Sequence, residues 1–341
     1  MMRTLSRRDF ARTLGTAAVA APLLPESLAD LLPRFHGSFF KWKKVSNRVR
    51  VAFRGGGNAM LVSKGKRAVL VDCKNFGFGG ILRHEAEEIG GRLTHVINTH
   101  HHSDHTGGNL AFAGEVEHIG QAKLSARVVA LTERLRDRVA GSPEQWVAQV
   151  RESWRQQSGS EPDAEFVERL EAFARRVASL EPARSAPSTG FDREAEVRAP
   201  AGRFELRHVS NGHTDNDAFI HLPEENLVHA GDLLFHELHP YIDVGAGATT
   251  EGWQRCLEAL IDLCDERTVV VPGHGEITDR RGLRRQSEYF DRLRELVGEA
   301  MGEGRSREEI TELRPAWTER YGHEELRSHA LGVVYDELSA S

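Results

Sequence analysis

Apolar runs rich in β-branched residues stop repeatedly, in this sequence, at a histidine or an aspartate. "THVINTH" ends at His100, "HAGDLLF" presents Asp232, and "VVVPGHGE" presents His274. "SNGHTDND" presents His213 after the run "FELRHVS". Short runs of this kind bounded by turn residues read as buried strands. Three of the four polar residues sit beside glycine, where a sheet hands its side chains to a cleft. The fold must therefore bring strand ends from both halves of the chain to one place.

The densest of these stops is "THHHSDHTGGN", residues 99–109, with four histidines and an aspartate within seven positions. The ligand-type residues follow the spacing H-x-H-x-D-H. Alternate residues of an extended segment point the same way, so His100 and His102 can share one ion. Asp104 and His105 then turn toward a second position. Neutral imidazole and carboxylate are a donor set that zinc accepts at about 2.0–2.2 Å without any thiolate. A lone histidine is more often a hydrogen-bonded or exposed residue than a ligand, but a five-residue cluster reverses that expectation. His101, between two inward-pointing neighbours, is expected to face away from the ions.

The rest of the chain supplies a scaffold. Strand text runs through "RVRVAF", "NAMLVS" and "RAVLVD", with a short amphipathic helix expected over Gly80 to Ile89. After a strand at "EVEHIG" the period changes to three to four. Leu124, Val128, Leu131, Leu135 and Val139 form one apolar face, and Phe166, Leu170, Phe173, Val177 and Leu180 another. A helical insert over about 121–185 is thus expected, closed by the connector "EPARSAPSTG". Strands return at "FELRHVS", "AFIHLP", "NLVHAGD" and "RTVVVPGHG". The C-terminal helices are expected over about 282–341, with Phe290, Leu293, Leu296 and Val297 on one face before a polar tail closing with "LGVVYDEL".

Composition narrows the function classes. With 341 residues, 39% of them hydrophobic, the chain can bury a large core. A formal net charge of -6 gives no overall basic field, so nucleic acid is not an expected partner. The three cysteines, Cys73, Cys256 and Cys264, are odd in number and show no C-x-x-C spacing. They are expected to be buried thiols rather than a disulfide framework.

Residues 1–29 are expected to be an export signal or leader outside the fold. "SRRDF" precedes the weakly apolar "ARTLGTAAVAAPLL" and resembles a bacterial twin-arginine signal, which implies a periplasmic location. That run is interrupted by Arg12 and Pro22 and is too short to span a bilayer, so no permanent membrane anchor is expected.

Taken in order, "VDC" at Asp72, "THHHSDH", "GH" at His213, "GD" at Asp232 and "GHG" at His274 resemble the metallo-β-lactamase-fold superfamily of metal-dependent hydrolases, over roughly residues 45–280. The resemblance implies an α+β fold, an αββα sandwich of two mixed sheets flanked by helices, in one domain over 40–341. It implies that His100, His102 and His213 bind one metal, that Asp104, His105 and His274 bind a second, and that Asp232 bridges them. Asp72 resembles the family's acid behind the metal loop, which fixes a ligand or its backbone. The implied activity is hydrolysis of an ester, lactone, thioester or amide by a hydroxide bridging two Zn2+, with Mn2+ or Fe as alternative metals and Asp104 and Asp232 as the catalytic acids.

An aspartate at position 232 is similar to the glyoxalase II, lactonase and phosphodiesterase branches; β-lactamases of this fold carry cysteine there or lack a bridging residue. β-Lactamase activity on β-lactam amides is one alternative, and an iron-dependent sulfur dioxygenase of the same fold is another. The substrate is expected to be a small molecule. Phe235, His236, His239 and Tyr241, in and beside "ELHPYID", are the candidate substrate contacts. The insert is expected to cover or flank the cleft.

Overall fold

The computed structural model describes residues 38–340. The expected export signal over 1–29 lies outside the described residues. The described residues form twelve strands in two sheets. The first sheet contains β1 (Lys41–Lys44), β2 (Val49–Phe53), β3 (Ala59–Lys64), β4 (Arg67–Val71), β5 (Arg92–Ile97), β6 (Glu117–Gln121) and β7 (Thr189–Phe191), in that order. Its strands pair antiparallel from β1 to β4 and parallel from β4 to β7. The second contains β8 (Glu194–Ala199), β9 (Gly202–Arg207), β10 (Phe219–Leu222), β11 (Leu227–Phe235) and β12 (Val269–His274). It is antiparallel except for the pair β11 and β12.

Strand periodicity explains the layering. In β4, Val69 and Val71 face the second sheet, while Ala68 and Leu70 face outward onto helix α1 (Gly79–Gly90). Between the sheets Val49, Val51, Val62 and Ile97 meet Phe204, Leu206, Ile220 and Val271 in one apolar layer. Helix α2 (Ser103–Thr106) is a single turn at the end of β5. Helices α3 (Leu124–Gly141), α4 (Pro143–Ser158) and α5 (Ala164–Arg176) form the insert. Helices α6 (Thr250–Leu263), α7 (Arg280–Gly302), α8 (Arg307–Thr311) and α9 (Arg327–Ser339) belong to the second sheet's side. There Trp253, Leu257, Leu260, Phe290, Leu293 and Leu331 cover its outer face. The result is the expected αββα sandwich.

The insert packs chiefly as part of this outer layer. Trp146, Trp154, Phe166 and Phe173 continue the apolar cluster of Phe39, Phe76 and Phe78 on the outer face of the first sheet. Trp154 lies 4.3 Å from Phe39 and 4.8 Å from Phe166, centroid to centroid. The insert also bonds to the loops that carry Gly55 and Asp215. Gly55 N donates to Gln157 Oε1 (2.6 Å), and Arg127 of α3 donates to Asp215 (2.8 Å). The C-terminal "LGVVYDEL", expected as a polar tail, lies in α9 and buries Leu331, Val333 and Val334. All three cysteines are free and buried, as their spacing implies. No helix among the described residues is long and apolar enough to cross a membrane.

Candidate metal centre

The H-x-H-x-D-H stretch changes conformation halfway along. β5 ends at Ile97, the chain bends over Thr99 to His101, and His102, with φ -62° and ψ 152°, precedes the turn of α2. His100 and His102 therefore project from the loop that leaves β5, while Asp104 and His105 project from a helical turn. His213 stands in the loop after β9, Asp232 within β11 and His274 at the end of β12. Gly231, just before Asp232, has φ 55°, and a Cβ there would lie 2.7 Å from Thr99 Cβ. Glycine is what lets the two sheets' strand ends approach this closely.

These seven side chains fall into two donor groups. His100, His102, His213 and Asp232 form one, and Asp104, His105, Asp232 and His274 the other. Within each, one donor atom per residue lies within 4.8 Å of the rest, and Asp232 belongs to both. Its Oδ1 is 3.0 Å from His105 Nε2, and its Oδ2 is 3.4 Å from His213 Nε2 and 3.3 Å from His274 Nε2. His274 Nε2 also lies 3.0 Å from Asp104 Oδ2. His100 Nε2, His105 Nε2 and Asp232 Oδ1 are buried without an aligned hydrogen-bond partner. Buried polar atoms are rarely left so.

The far side of each imidazole explains why. His105 Nδ1 donates to Asp72 Oδ2 (2.7 Å), and His213 Nδ1 donates to the Tyr241 carbonyl (2.7 Å). Thr99 Oγ1 donates to Asp72 Oδ2 (2.8 Å) and accepts from His100 Nδ1 (3.0 Å). His102 Nε2 donates to Asp243 Oδ2 (2.8 Å). In these four rings one N–H is committed outward, so that each, when neutral, turns a lone pair inward. His102 Nδ1 and His213 Nε2 face one another at 2.8 Å, two lone pairs that repel unless a cation stands with them. The donor set fits divalent metal ions of the kind imidazole and carboxylate bind.

Electrostatics agree. Burial, aided by neighbouring His105, holds His100 well below its ordinary 6.5, and burial with His102 beside it pushes His213 down to about 3. Both rings are neutral, as ligation requires. Burial opposes charge on Asp104 and Asp232, but His105 and His274 outweigh it and hold both carboxylates well below 3.8. Burial likewise disfavours a charged His274, yet Asp232 and Asp104 push it up to about 9. The second group thus holds protons where a metal would place positive charge.

Asp72 lies behind the loop, with its carboxylate on His105 and Thr99. His101 lies outside both groups that share Asp232 and is buried, its Nδ1 3.0 Å from Asn216 Nδ2. With His102 and Asp243 it forms a third cluster of metal-type donors.

The four expected substrate contacts divide. Tyr241 is 39% exposed, with its ring 5.9 Å from that of His102. Phe235 is buried, stacked on His274 at 4.9 Å. His236 turns outward to Glu276 O and Arg285. His239 is fully buried and its Nδ1 meets the Tyr289 hydroxyl at 2.8 Å. Its expected place on the cleft wall is corrected: the aromatic packing around Tyr289 and Tyr321 draws it inward.

Sequence reasoning missed Thr99 and Asp243. Asp243 ends the flagged "ELHPYID" segment, and an acid within a loop already expected to line the cleft was the available signal. It also missed Lys74, fully buried with φ 68°, whose ammonium donates to the carbonyls of Ala52 (2.7 Å) and Gly57 (2.6 Å). Burial pushes this amine down to about 7 against the pull of Asp72.

Two mixed sheets face to face, helices outside, and histidine and aspartate groups at the strand ends together define the metallo-β-lactamase fold. Residues 52–274 match the family described as the metallo-beta-lactamase superfamily. The chain belongs to that superfamily. Among curated proteins none matches the chain.

Solved structures similar to it include a metallo-beta-lactamase from Pontibacter korlensis, with TM-score 0.51, 15% identity, and coverage of 74% of this chain and 99% of that one. The DIM-1 metallo-beta-lactamase gives 0.51, 16%, 74% and 97% in the same order. TMB-1 gives 0.52, 17%, 74% and 97%. At such identities the likeness is one of fold.

Proposed function

We propose that this protein is a dinuclear zinc-dependent hydrolase of an ester, lactone, thioester or amide. The observation that carries the reading is the meeting of two complete donor groups at one buried carboxylate, Asp232. When bound, two zinc ions lower the pKa of a shared water toward neutrality and polarise the substrate's carbonyl oxygen. His100, His102 and His213 would hold one ion and Asp104, His105 and His274 the other, with Asp232 serving both. Asp72, Thr99, Asp243 and the Tyr241 carbonyl keep the rings turned inward. No side-chain nucleophile is required. Tyr241, exposed beside His102, is the wall a substrate meets at the first group.

β-Lactam amides belong among the substrates to screen, because the structural neighbours are named as metallo-β-lactamases. The test is elemental analysis of protein purified without chelators, followed by hydrolysis assays on the four substrate classes. About two zinc per chain with turnover of one class is expected. About one iron per chain with oxygen uptake on sulfur substrates would replace this reading with a dioxygenase.

A further inference from the structure

The first turns of α7 read "RRGLRRQ", an unusual density of guanidinium groups. Three of the six arginines of this helix have acidic partners: Arg280 pairs with Glu266, Arg281 with Asp279 and Arg294 with Glu337. Arg285 has no carboxylate partner among the described residues, and neither does Arg320, which approaches it from the segment before α9. Both line a small surface crevice with Phe235, His236, Glu237 and Tyr321.

We propose that this crevice receives an oxyanion group, a carboxylate or a phosphate, carried by the substrate. The inference rests on the hydrolase reading and narrows it to anionic esters, lactones, thioesters or amides. Two arrangements prepare the cations. Arg285 Nη2 donates to His236 Nε2 (2.8 Å), and His236 Nδ1 in turn donates to Glu276 O (2.8 Å), which fixes the guanidinium plane. Its Nε is buried with no hydrogen-bond partner. Arg320 donates to the Tyr321 hydroxyl (2.8 Å) and lies over that ring at 4.9 Å. A held guanidinium presents forked donors to an oxyanion, which a mobile surface arginine does not. Glu237, the acid on the lining, is exposed and makes no ion pair with either arginine.

The crevice adjoins the second donor group. His236 N donates to His274 O (2.9 Å), the Phe235 ring stacks on His274, and His323, two residues past Tyr321, sets its ring 6.3 Å from that of His274. An anion held by Arg285 and Arg320 is therefore one side chain from His274.

The test uses zinc-loaded full-length protein, as wild type, Arg285→Gln, Arg320→Gln and Arg285→Lys. Calorimetric binding of inorganic phosphate and of succinate is measured on each, with zinc content as a check on folding. A neutral aryl acetate and the matching aryl hemisuccinate are then compared as substrates. Each Gln variant is expected to keep its zinc, to bind one of the two probes at least about 10-fold more weakly, and to lower the anionic-to-neutral ratio of kcat/KM by a similar factor. Arg285→Lys, which keeps the charge but loses the fork, is expected to fall between. The probe that is lost identifies the oxyanion.

Equal binding and an equal ratio in wild type and both Gln variants would overturn the proposal while leaving hydrolysis intact. Loss of probe binding in the variants, with no turnover of any ester by the wild type, would support the anion site and overturn the hydrolase reading instead.

Discussion

One oxygen of Asp72, Oδ2, lies 2.7 Å from His105 Nδ1 and 2.8 Å from Thr99 Oγ1, while Oδ1 accepts from Thr99 N at 2.8 Å. A single buried acid thereby orients a ring in each donor group, His105 directly and His100 through the threonine hydroxyl. It does so from a turn with φ 62°, at the point where β4 ends. The strained backbone and the metal-facing rings are parts of one arrangement.

Asp72→Asn keeps the shape and removes the charge. Metal affinity is expected to fall about 10- to 100-fold, as for other residues that support ligating histidines. Zinc competition against a fluorescent chelator measures it. Affinity equal to wild type would remove Asp72 from this role.

Because Asp232 belongs to both donor groups and His274 to one, their replacements should differ in kind. Asp232→Ala is expected to lower bound zinc at both groups, and His274→Ala to leave about one ion per chain. Either change is expected to cost activity more than the roughly 100-fold associated with supporting residues. Elemental analysis separates the two, and identical stoichiometry in both variants would contradict a shared ligand.

Much of the site was legible because its residues sit where patterns break. His100, Asp232 and His274 each end or interrupt a β-branched run, and α2 begins where the alternation of H-x-H gives way to the adjacent pair Asp104 and His105. What escaped notice had no such contrast. β1 is "KWKK" and β8 is "EAEVRA", charge-rich edge strands with no β-branched run to mark them. Asp243 lies far from His102 in sequence, so only the folding of its loop over His213 brings them together. His239 misled because a histidine near a cleft and a histidine turned into a core look the same in sequence.

Gly57 illustrates how little room the second group has. A Cβ at this position would lie 2.2 Å from His105 Nε2. Gly57→Ala is expected to displace either the loop or the ring, costing about 1–3 kcal/mol of stability and weakening metal binding at the second group. Denaturant unfolding and zinc titration check the two effects, and a variant normal in both would show that the loop yields freely.

The insert should behave as core rather than as a detachable cover. Trp154→Ala removes a buried ring between Phe39 and Phe166 and is expected to destabilise the protein by about 3–5 kcal/mol, with zinc content unchanged. A shift in the denaturation midpoint reads this directly. Lost zinc with normal stability would instead tie the insert to the metal groups.

Removal of metal should be felt by the whole fold, because the inward-facing nitrogens of His102 and His213 stand 2.8 Å apart and three buried donor atoms have no other partner. Ions that bind only the folded chain stabilise it by mass action, about 2.7 kcal/mol at a free concentration 100 times Kd. Chelation is therefore expected to lower Tm, and added zinc to restore it. In the Asp232→Ala variant the same treatment should move Tm much less, since that chain has less metal to lose. A wild-type Tm indifferent to both chelator and zinc would mean that protons alone reconcile these lone pairs, and the hydrolase reading would fall with that result.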